Sequence, residues 1–420
     1  MYIIHPPAVY IHRRVTADRR CLDRLERLLS GIRCEAEPMV VDDAGLNDVC
    51  AAHNWSALAH LRTGETGRGG DPIVIFNTFA RQSEDERKAT LAAYPHLRHG
   101  YLDGSGAWTF RKGRATLRTH SGVCTDAYEL HSAWGCLHIC DYCNVPDYLN
   151  IMVNLEELVD RFEDLVARNR RLKLWKYDNH TDTITFEPEY GASRLMVELF
   201  SRQDDQYLMM YTKSANVDHL LGLDHRGKTI ICWSLAPETQ SRLIEKRSAS
   251  TSERIEAARK CQEAGYPVRA RFSPIVPVRG WRAEAEAMLT QFLTAVEPDV
   301  LTMDTLKWTE PTRVWAMFDR HLWDEQYSGY VDQYAAMDPE DRPYPILPNG
   351  KQLFPHEARV AMYRVFIDRI RELAPKTRIA FCGETPEIWA EFQDEVGMTP
   401  ADFVCACGPT SVPGHPLLGG

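Results

Sequence analysis

The chain of 420 residues is 44% apolar and 26% charged, a balance typical of a soluble globular protein. Its 49 lysines and arginines against 59 aspartates and glutamates give a formal charge of −10. This acidic balance argues against non-specific binding to nucleic acid, because that affinity comes from cations that neutralise phosphates. No apolar run approaches a membrane span and the start lacks signal-peptide features, so we expect a cytoplasmic protein without a membrane partner.

The first 125 residues are weakly patterned and form a predicted N-terminal α/β accessory domain. A short helix is predicted over 20–29, and a buried strand over 72–76, where the sequence reads PIVIF. The stretch ETGRGGD at 65–71 is interpreted as a loop. The basic stretch RKGRATLR at 111–118 is interpreted as a solvated turn–strand–turn rather than a binding surface.

From residue 126 onward, short β-rich apolar runs alternate with helical patterns, as in βα units that build a parallel sheet. The predicted strands cover 183–187, 208–212, 229–234, 268–275, 300–303 and 378–381. The predicted helices cover 155–169, 193–200, 217–221, 251–264, 282–296, 356–373 and 387–396. The fold class predicted is α/β, a full or partial TIM-like barrel whose sites lie at the carboxyl ends of its strands.

This barrel core is predicted over 126–305, with a C-terminal helical and loop-rich region over 306–420. Within the latter, the stretch 308–354 interrupts the strand–helix pattern. A lid, an oligomer contact and a structural excursion are the alternatives for it.

Three cysteines lie close together in the segment GCLHICDYC, at Cys136, Cys140 and Cys143. In a reducing compartment, clustered cysteines more often serve metal or redox chemistry than disulfides. A loop of this spacing can wrap around one small inorganic centre, and three thiolates leave one iron of a [4Fe–4S] cluster open. Zinc usually requires a fourth cysteine or histidine, and His138 lies inside the loop, where it cannot easily serve. A structural zinc site and three unconnected cysteines are the alternatives.

The motif Cys136-xxx-Cys140-x-Tyr142-Cys143 resembles the signature of the radical S-adenosylmethionine superfamily. More narrowly, AWGCLHICDYC followed by YLNIMVNLEEL resembles the spore photoproduct lyase branch. The similarity continues in order through TFEPEYGAS, YTKSANVDHLL, ICWSLAP, IEKRSAST and EAGYPVRARFSPIVP. The resemblance implies a partial (β/α)6 barrel with an N-terminal α/β extension and a C-terminal helical and loop extension. It also implies a [4Fe–4S] cluster and S-adenosylmethionine at the barrel mouth.

The resemblance further implies which residues contact the cofactor. Glu189 falls where the superfamily has a Gly-Glu motif that binds the methionine ammonium. Here the dipeptide is Pro188-Glu189, so Glu187 is a competing candidate. Tyr142 would lend backbone contacts to the adenine, and Ile275 would pack against it.

Lys213 and Ser234 occupy the positions at which relatives hold the carboxylate and ribose of the cofactor, both at predicted strand ends. Ser193 and Arg254 are further cofactor candidates from the same resemblance. Ser193 has an alternative role as a helix cap.

One departure bears on the substrate. Lyases of this branch use a cysteine hydrogen donor shortly after the second strand, at the position of Glu189, and no cysteine stands between Cys143 and Cys232. The branch's tyrosine directly after the triad is Asn144 here. The missing thiol and the acidic charge favour a small metabolite of nucleoside, nucleotide or sugar type in a biosynthetic pathway.

The alternatives are lyase-like repair or base modification of DNA, and a non-catalytic iron–sulfur sensor or scaffold. The expected partners are the small substrate and an external electron donor of flavodoxin or ferredoxin type, with nucleic acid less favoured. A second cysteine group, Cys382, Cys405 and Cys407, has three interpretations. It could ligate an auxiliary cluster, supply a radical-quenching hydrogen or be inert.

Overall fold

A computed structural model describes residues 1–55, 70–113, 122–343 and 352–418. Most of the predicted loop at 65–71 and of the basic stretch at 111–118 lies outside these residues. One hydrophobic cluster extends from the N-terminal strands through the barrel to the C-terminal segment. None of the helices in the described part of the chain is long and apolar enough to cross a membrane.

A five-stranded sheet contains the N-terminal strands, in the order β2-β1-β3-β7-β6. Its strands are β1 (Val9–His12), β2 (Met39–Val41), β3 (Ile73–Asn77), β6 (Ala133–Trp134) and β7 (Tyr148–Met152). All pairs are parallel except β6 with β7. The helices of this region are α1 (Arg19–Leu29), α2 (Asp43–Ala52) and α3 (Glu84–Ala93). The sheet therefore takes in strands beyond residue 125, and the domain boundaries stay predictions.

The second sheet has eight strands in the order β13-β12-β11-β10-β9-β8-β5-β4, and it curves into a barrel that does not close. Its strands are β4 (Trp108–Arg111), β5 (Ala127–Leu130), β8 (Leu174–Tyr177), β9 (Tyr207–Thr212), β10 (Thr229–Ser234), β11 (Val268–Ile275), β12 (Val300–Thr305) and β13 (Arg378–Phe381). Only β4 pairs in the antiparallel sense. The apolar runs are buried because both faces of a parallel sheet are covered.

Helices cover the outside of the barrel. They are α4 (Leu155–Arg168), α5 (Ala192–Ser201), α6 (Glu238–Leu243), α7 (Thr251–Glu263), α8 (Trp281–Ala295), α9 (Val314–Met317), α10 (Glu325–Ala336), α11 (His356–Leu373), α12 (Pro386–Glu391) and α13 (Gln393–Val396). The predicted start of α7 is confirmed, because Ser250 and Glu253 form a reciprocal capping box. Gly265, with φ +94°, follows its end.

Several predicted elements are wrong. The strand predicted over 183–187 is a 3-10 turn, and the barrel strand of this unit is β8, which comes earlier. The sequence LWKY of β8 did not indicate a buried strand because it contains Lys176, whose ammonium pairs with Glu129 inside the barrel. The helix predicted over 217–221 is a series of turns. The helix predicted over 387–396 is divided into α12 and α13.

Candidate active site

The three cysteines lie in the loop that joins β6 to β7, at the edge of the first sheet. Gly135 begins this loop with φ +94°, and a Cβ there would lie 1.8 Å from the carbonyl oxygen of Tyr148. Only glycine therefore allows the loop to start against β7. The Cys143 N–H donates to the Cys140 carbonyl at 2.9 Å, which folds the third cysteine back toward the second. The three thiols interact electrostatically with one another.

The donor set fits an iron–sulfur cluster better than zinc. Sulfur ligands of one tetrahedral zinc lie roughly 3.8 Å apart, because each Zn–S bond is about 2.3 Å. Among the described residues, one group of three metal-ligating side chains has its ligand atoms within 4.8 Å of one another: Glu129, His131 and His180. Among the residues that the structure describes, the three cysteines do not form a group of that kind. Burial and the neighbouring Cys143 raise the pKa of Cys136 to about 12, so this thiol stays protonated until a metal binds it.

A buried polar network attaches the triad loop to the barrel. The Nε2 atom of His138 lies 2.7 Å from Oδ2 of Asp182, and its Nδ1 lies 3.1 Å from the Arg247 carbonyl. Asp182 also accepts hydrogen bonds from the Thr212 hydroxyl and, at 2.8 Å, from the Lys213 N–H. Both ring nitrogens of His138 therefore face oxygen atoms of the barrel segments. Asp182 thus ties the loop to the carboxyl end of β9.

A second attachment runs through the segment after α6. Cys140 forms an isolated bridge with Glu245, and the Asp141 N–H donates to the Ile244 carbonyl at 3.0 Å. The Tyr142 hydroxyl donates to the Glu245 carboxylate, which also pairs with Arg254 at 2.6 Å. The triad loop is therefore attached to the barrel at His138 and again at residues 140–142.

The guanidinium of Arg254 is fully engaged within the protein. Besides Glu245, it donates to the carbonyls of Ser234 and Ala249 and to the hydroxyls of Ser241 and Ser248. The guanidinium thus makes four hydrogen bonds in addition to its ion pair with Glu245. Arg254 therefore fastens the 234–250 segment, and its contact with the cofactor stays a prediction that this geometry does not support.

The other predicted cofactor residues lie at strand ends near the triad. Lys213 directly follows β9, and its Nζ lies 5.7 Å from the centre of the Tyr142 ring. Ser234 ends β10 with a half-buried side chain, and Ile275 ends β11 with 3% exposure. Lys213 also interacts electrostatically with the Cys136 and Cys140 thiols. Their contacts with a cofactor stay predictions.

The two candidate carboxylates and Ser193 have local partners. Glu189 is half-buried, lies in the loop after the 3-10 turn, and pairs with the amino group of Met1. Glu187 is buried and accepts the backbone N–H groups of Gly191 and Ser193, both at 2.7 Å. Glu187 therefore caps α5, whereas the sequence suggested Ser193 for that role. The Ser193 hydroxyl has no hydrogen-bond partner among the described residues.

Asp182 and Glu245 are site residues that sequence analysis missed. Asp182 stood before a predicted strand, whereas it lies in the polar stretch DNHTD that follows the real strand β8. Once β8 is recognised, this stretch stands at a carboxyl end, where barrel sites lie. Glu245 was within the segment IEKRSAST of the resemblance, but nothing in the sequence marked it as a partner of Tyr142 and Arg254.

The family model described as spore photoproduct lyase matches residues 111–382. The chain belongs to the spore photoproduct lyase family. Spore photoproduct lyase from Bacillus subtilis (strain 168) is 28% identical over 195 residues, which cover 44% of this chain and 57% of that protein. The protein of that name from Geobacillus sp. (strain Y412MC61) is 26% identical over 212 residues, 48% of this chain and 62% of the relative. The chain thus matches little more than half the length of these relatives.

Solved structures of this family share the fold. A spore photoproduct lyase complexed with dinucleoside spore photoproduct has a TM-score of 0.58 at 16% identity, over 90% of this chain and 99% of that one. A substituted lyase with bound AdoMet and dinucleoside spore photoproduct has a TM-score of 0.59 at 17% identity over the same shares. The predicted family and the partial TIM-like barrel are confirmed. The family is one of radical S-adenosylmethionine enzymes that use a [4Fe–4S] cluster and S-adenosylmethionine, as the resemblance implied.

Proposed function

We propose that this protein is a radical S-adenosylmethionine enzyme that acts on a modified pyrimidine in nucleic acid. The observation that carries the proposal is the cysteine triad, held at the barrel mouth within the segment that matches the family model. The curated relatives are named for spore photoproduct, and solved neighbours are described with a dinucleoside form of it bound. These comparisons favour the DNA-directed alternative over the small biosynthetic metabolite expected from the sequence. Membership of an enzyme family disfavours the alternative of a non-catalytic iron–sulfur sensor or scaffold.

The chain's own residues would hold and shield the reacting groups. Cys136, Cys140 and Cys143 would ligate the cluster, which when bound supplies the reductive cleavage of S-adenosylmethionine to methionine and a hydrogen-abstracting 5′-deoxyadenosyl radical. Lys213 brings a positive charge beside the triad, where it favours an anionic cluster and a cofactor carboxylate. Glu245, 1% exposed, closes the side of the loop against water.

Return of a hydrogen to the substrate requires a donor, and Cys382 is the candidate. It directly follows β13 at the carboxyl end of the sheet, is half-buried, and has its Sγ 3.5 Å from Nη2 of Arg271. Burial raises the pKa of the Cys382 thiol, so the sulfur keeps its hydrogen. One electron from the external donor and one proton from water would restore the thiol after each transfer.

The test is anaerobic reconstitution with iron and sulfide, followed by dithionite, S-adenosylmethionine and dinucleoside spore photoproduct. We expect 5′-deoxyadenosine, methionine and restored thymidines. Simultaneous replacement of the triad by alanine should abolish all three products, whereas Cys261→Ala, a buried cysteine on α7, should retain them. Absence of 5′-deoxyadenosine from protein with a confirmed cluster would refute the radical chemistry.

A small nucleotide substrate is a second candidate, favoured by the net charge of −10 and by the absence of a cysteine at position 189. 5′-Deoxyadenosine that forms without any thymidine product from the dinucleoside would favour this second candidate.

A further inference from the structure

Several cationic side chains line the inside of the barrel. Among the described residues they include Arg111, Lys176, Arg271 and Lys307, and the carboxylates beside these four are Glu129 and Asp304. Both carboxylates are already paired, Glu129 with Lys176 and Arg111, and Asp304 with Lys307 at 2.9 Å. In the described ranges, Arg271 has no carboxylate within ion-pair distance. An arginine is always charged in proteins, and a buried charge is costly unless an anion compensates it.

Arg271 faces the lumen from the middle of β11. It stands opposite Ser234 of β10 and Thr302 of β12 in the register of the sheet. Its neighbours Ala270 and Phe272 are fully buried, whereas Arg271 is half-buried, because alternate residues of a strand point to opposite faces. The side chain therefore borders the space inside the barrel.

The guanidinium keeps donor capacity for a ligand. Its Nη2 donates to the Ser273 hydroxyl at 3.1 Å and contacts the Cys382 sulfur, and its plane lies over the Tyr211 ring, 5.4 Å from the centre. Its buried Nε has no hydrogen-bond partner among the described residues. The Tyr211 ring and the Ser273 hydroxyl hold the guanidinium in one orientation. A guanidinium fixed in this way suits bidentate recognition of phosphate or carboxylate oxygens.

The neighbouring thiols compensate the charge of Arg271 only in part. The Cys382 thiol stays neutral because burial raises its pKa. A hydrogen bond from Cys405 lowers the pKa of Cys407, so its thiolate balances one positive charge among Arg111, Lys176 and Arg271. Two of these three cations already pair with Glu129, so in the described ranges Arg271 is the one without a carboxylate partner.

We propose that Arg271 binds a phosphate group of the substrate inside the barrel, with Ser273 as a second donor. This inference rests on the proposed function, because it takes the substrate to be nucleotide-linked. The carboxylate of S-adenosylmethionine offers the same oxygen chemistry, and Ser234, which faces Arg271 in the register, is a predicted cofactor residue. The experiment must therefore separate these two sources.

The test compares thymidine 5′-monophosphate, thymidine and S-adenosylmethionine as probes in calorimetric titrations of the reconstituted holoenzyme. We expect the wild type to bind the monophosphate at least tenfold more tightly than thymidine. Arg271→Gln should lose at least tenfold in monophosphate affinity and bind thymidine and S-adenosylmethionine within twofold of the wild type. Arg194→Gln, an exposed arginine on α5, is the matched control and should change nothing.

Arg271→Lys keeps the positive charge but lacks the guanidinium, so its preference for the monophosphate over thymidine should lie between those of the wild type and Arg271→Gln. This second variant makes the test independent of whether Arg271→Gln folds fully. Equal affinities of the wild type for thymidine and its monophosphate would overturn the inference. A loss of S-adenosylmethionine affinity with unchanged monophosphate affinity would assign Arg271 to the cofactor and also overturn it. Cleavage of S-adenosylmethionine by the wild type is measured separately, so a failure of the proposed function is distinguishable from a failure of this site.

Discussion

Asp182→Asn tests the attachment of the triad loop to the barrel. Oδ2 of Asp182 accepts from His138 and Lys213 at 2.7 and 2.8 Å and from the Thr212 hydroxyl at 3.0 Å. Hydrogen bonds to a charged group contribute about 1.5–3 kcal/mol each, against about 0.5–1.5 for neutral pairs. The asparagine keeps the shape but not the charge, so the loss is about 1 kcal/mol per donor. We therefore expect about 3 kcal/mol of destabilisation, a large share of the 5–15 kcal/mol typical of a folded protein.

The assay is urea unfolding of the apoprotein, combined with iron retained after reconstitution. Asp205→Asn is the matched control, because Asp205 is an exposed aspartate that pairs with Lys173 at the surface and should change stability by less than about 0.5 kcal/mol. Asp182→Asn should unfold at lower urea and retain less iron than this control. Equal unfolding midpoints and equal iron contents in the two variants would refute the role given to Asp182.

Three further predictions concern the barrel interior and the loop. Burial opposes ionisation of Glu129, but the neighbouring cations hold its pKa at about 2. The ionised carboxylate therefore adds about 3 kcal/mol to the free energy of unfolding above pH 4.5, and this contribution is lost as the pH falls toward 2. The stability difference between wild type and Glu129→Gln, followed by urea unfolding, should shrink over that window; a constant difference would contradict this. Cys382→Ser should still form 5′-deoxyadenosine but yield less than a tenth of the thymidine product by chromatography, and an unchanged yield would exclude Cys382 as the donor. Gly135→Ala should prevent iron binding, measured as iron per protein, whereas Gly329→Ala, which has open space around it, should not.

The parts of the fold that sequence analysis predicted correctly carry strong local patterns. Strands β9 and β10 and the first four residues of β12 are largely apolar runs, and α7 has both a capping box and a glycine stop. The strand β8 was missed because Lys176 interrupts its apolar run, and that lysine is tolerated only through its pair with Glu129. In the first sheet, β3 confirms the strand predicted over 72–76, whereas β1 and β2 were missed because runs of three or four residues carry too little periodicity.

In the site, too, local sequence patterns could be recognised, whereas contacts between distant segments could not. The triad could be recognised because three cysteines lie within eight residues, so their spacing alone indicates a metal-binding role. The partners of the loop could not, because Asp182 and Glu245 come from segments 44 and 103 residues away from His138 and Tyr142. Arg254 was predicted as a cofactor residue, and that contact stays a prediction because its buried guanidinium bonds within the protein.

The triad loop connects β6 and β7 of the first sheet, whereas Lys213 and Ser234 lie at the ends of barrel strands β9 and β10. Iron and cofactor would therefore be carried by separate bodies of secondary structure, aligned by His138–Asp182 and by the ion pair between Arg247 and Asp71. A misplacement of about 1 Å between reacting groups can slow a reaction a hundredfold. A variant in which these contacts between the two sheets are weakened would thus still bind the cluster and the cofactor, but it would react slowly.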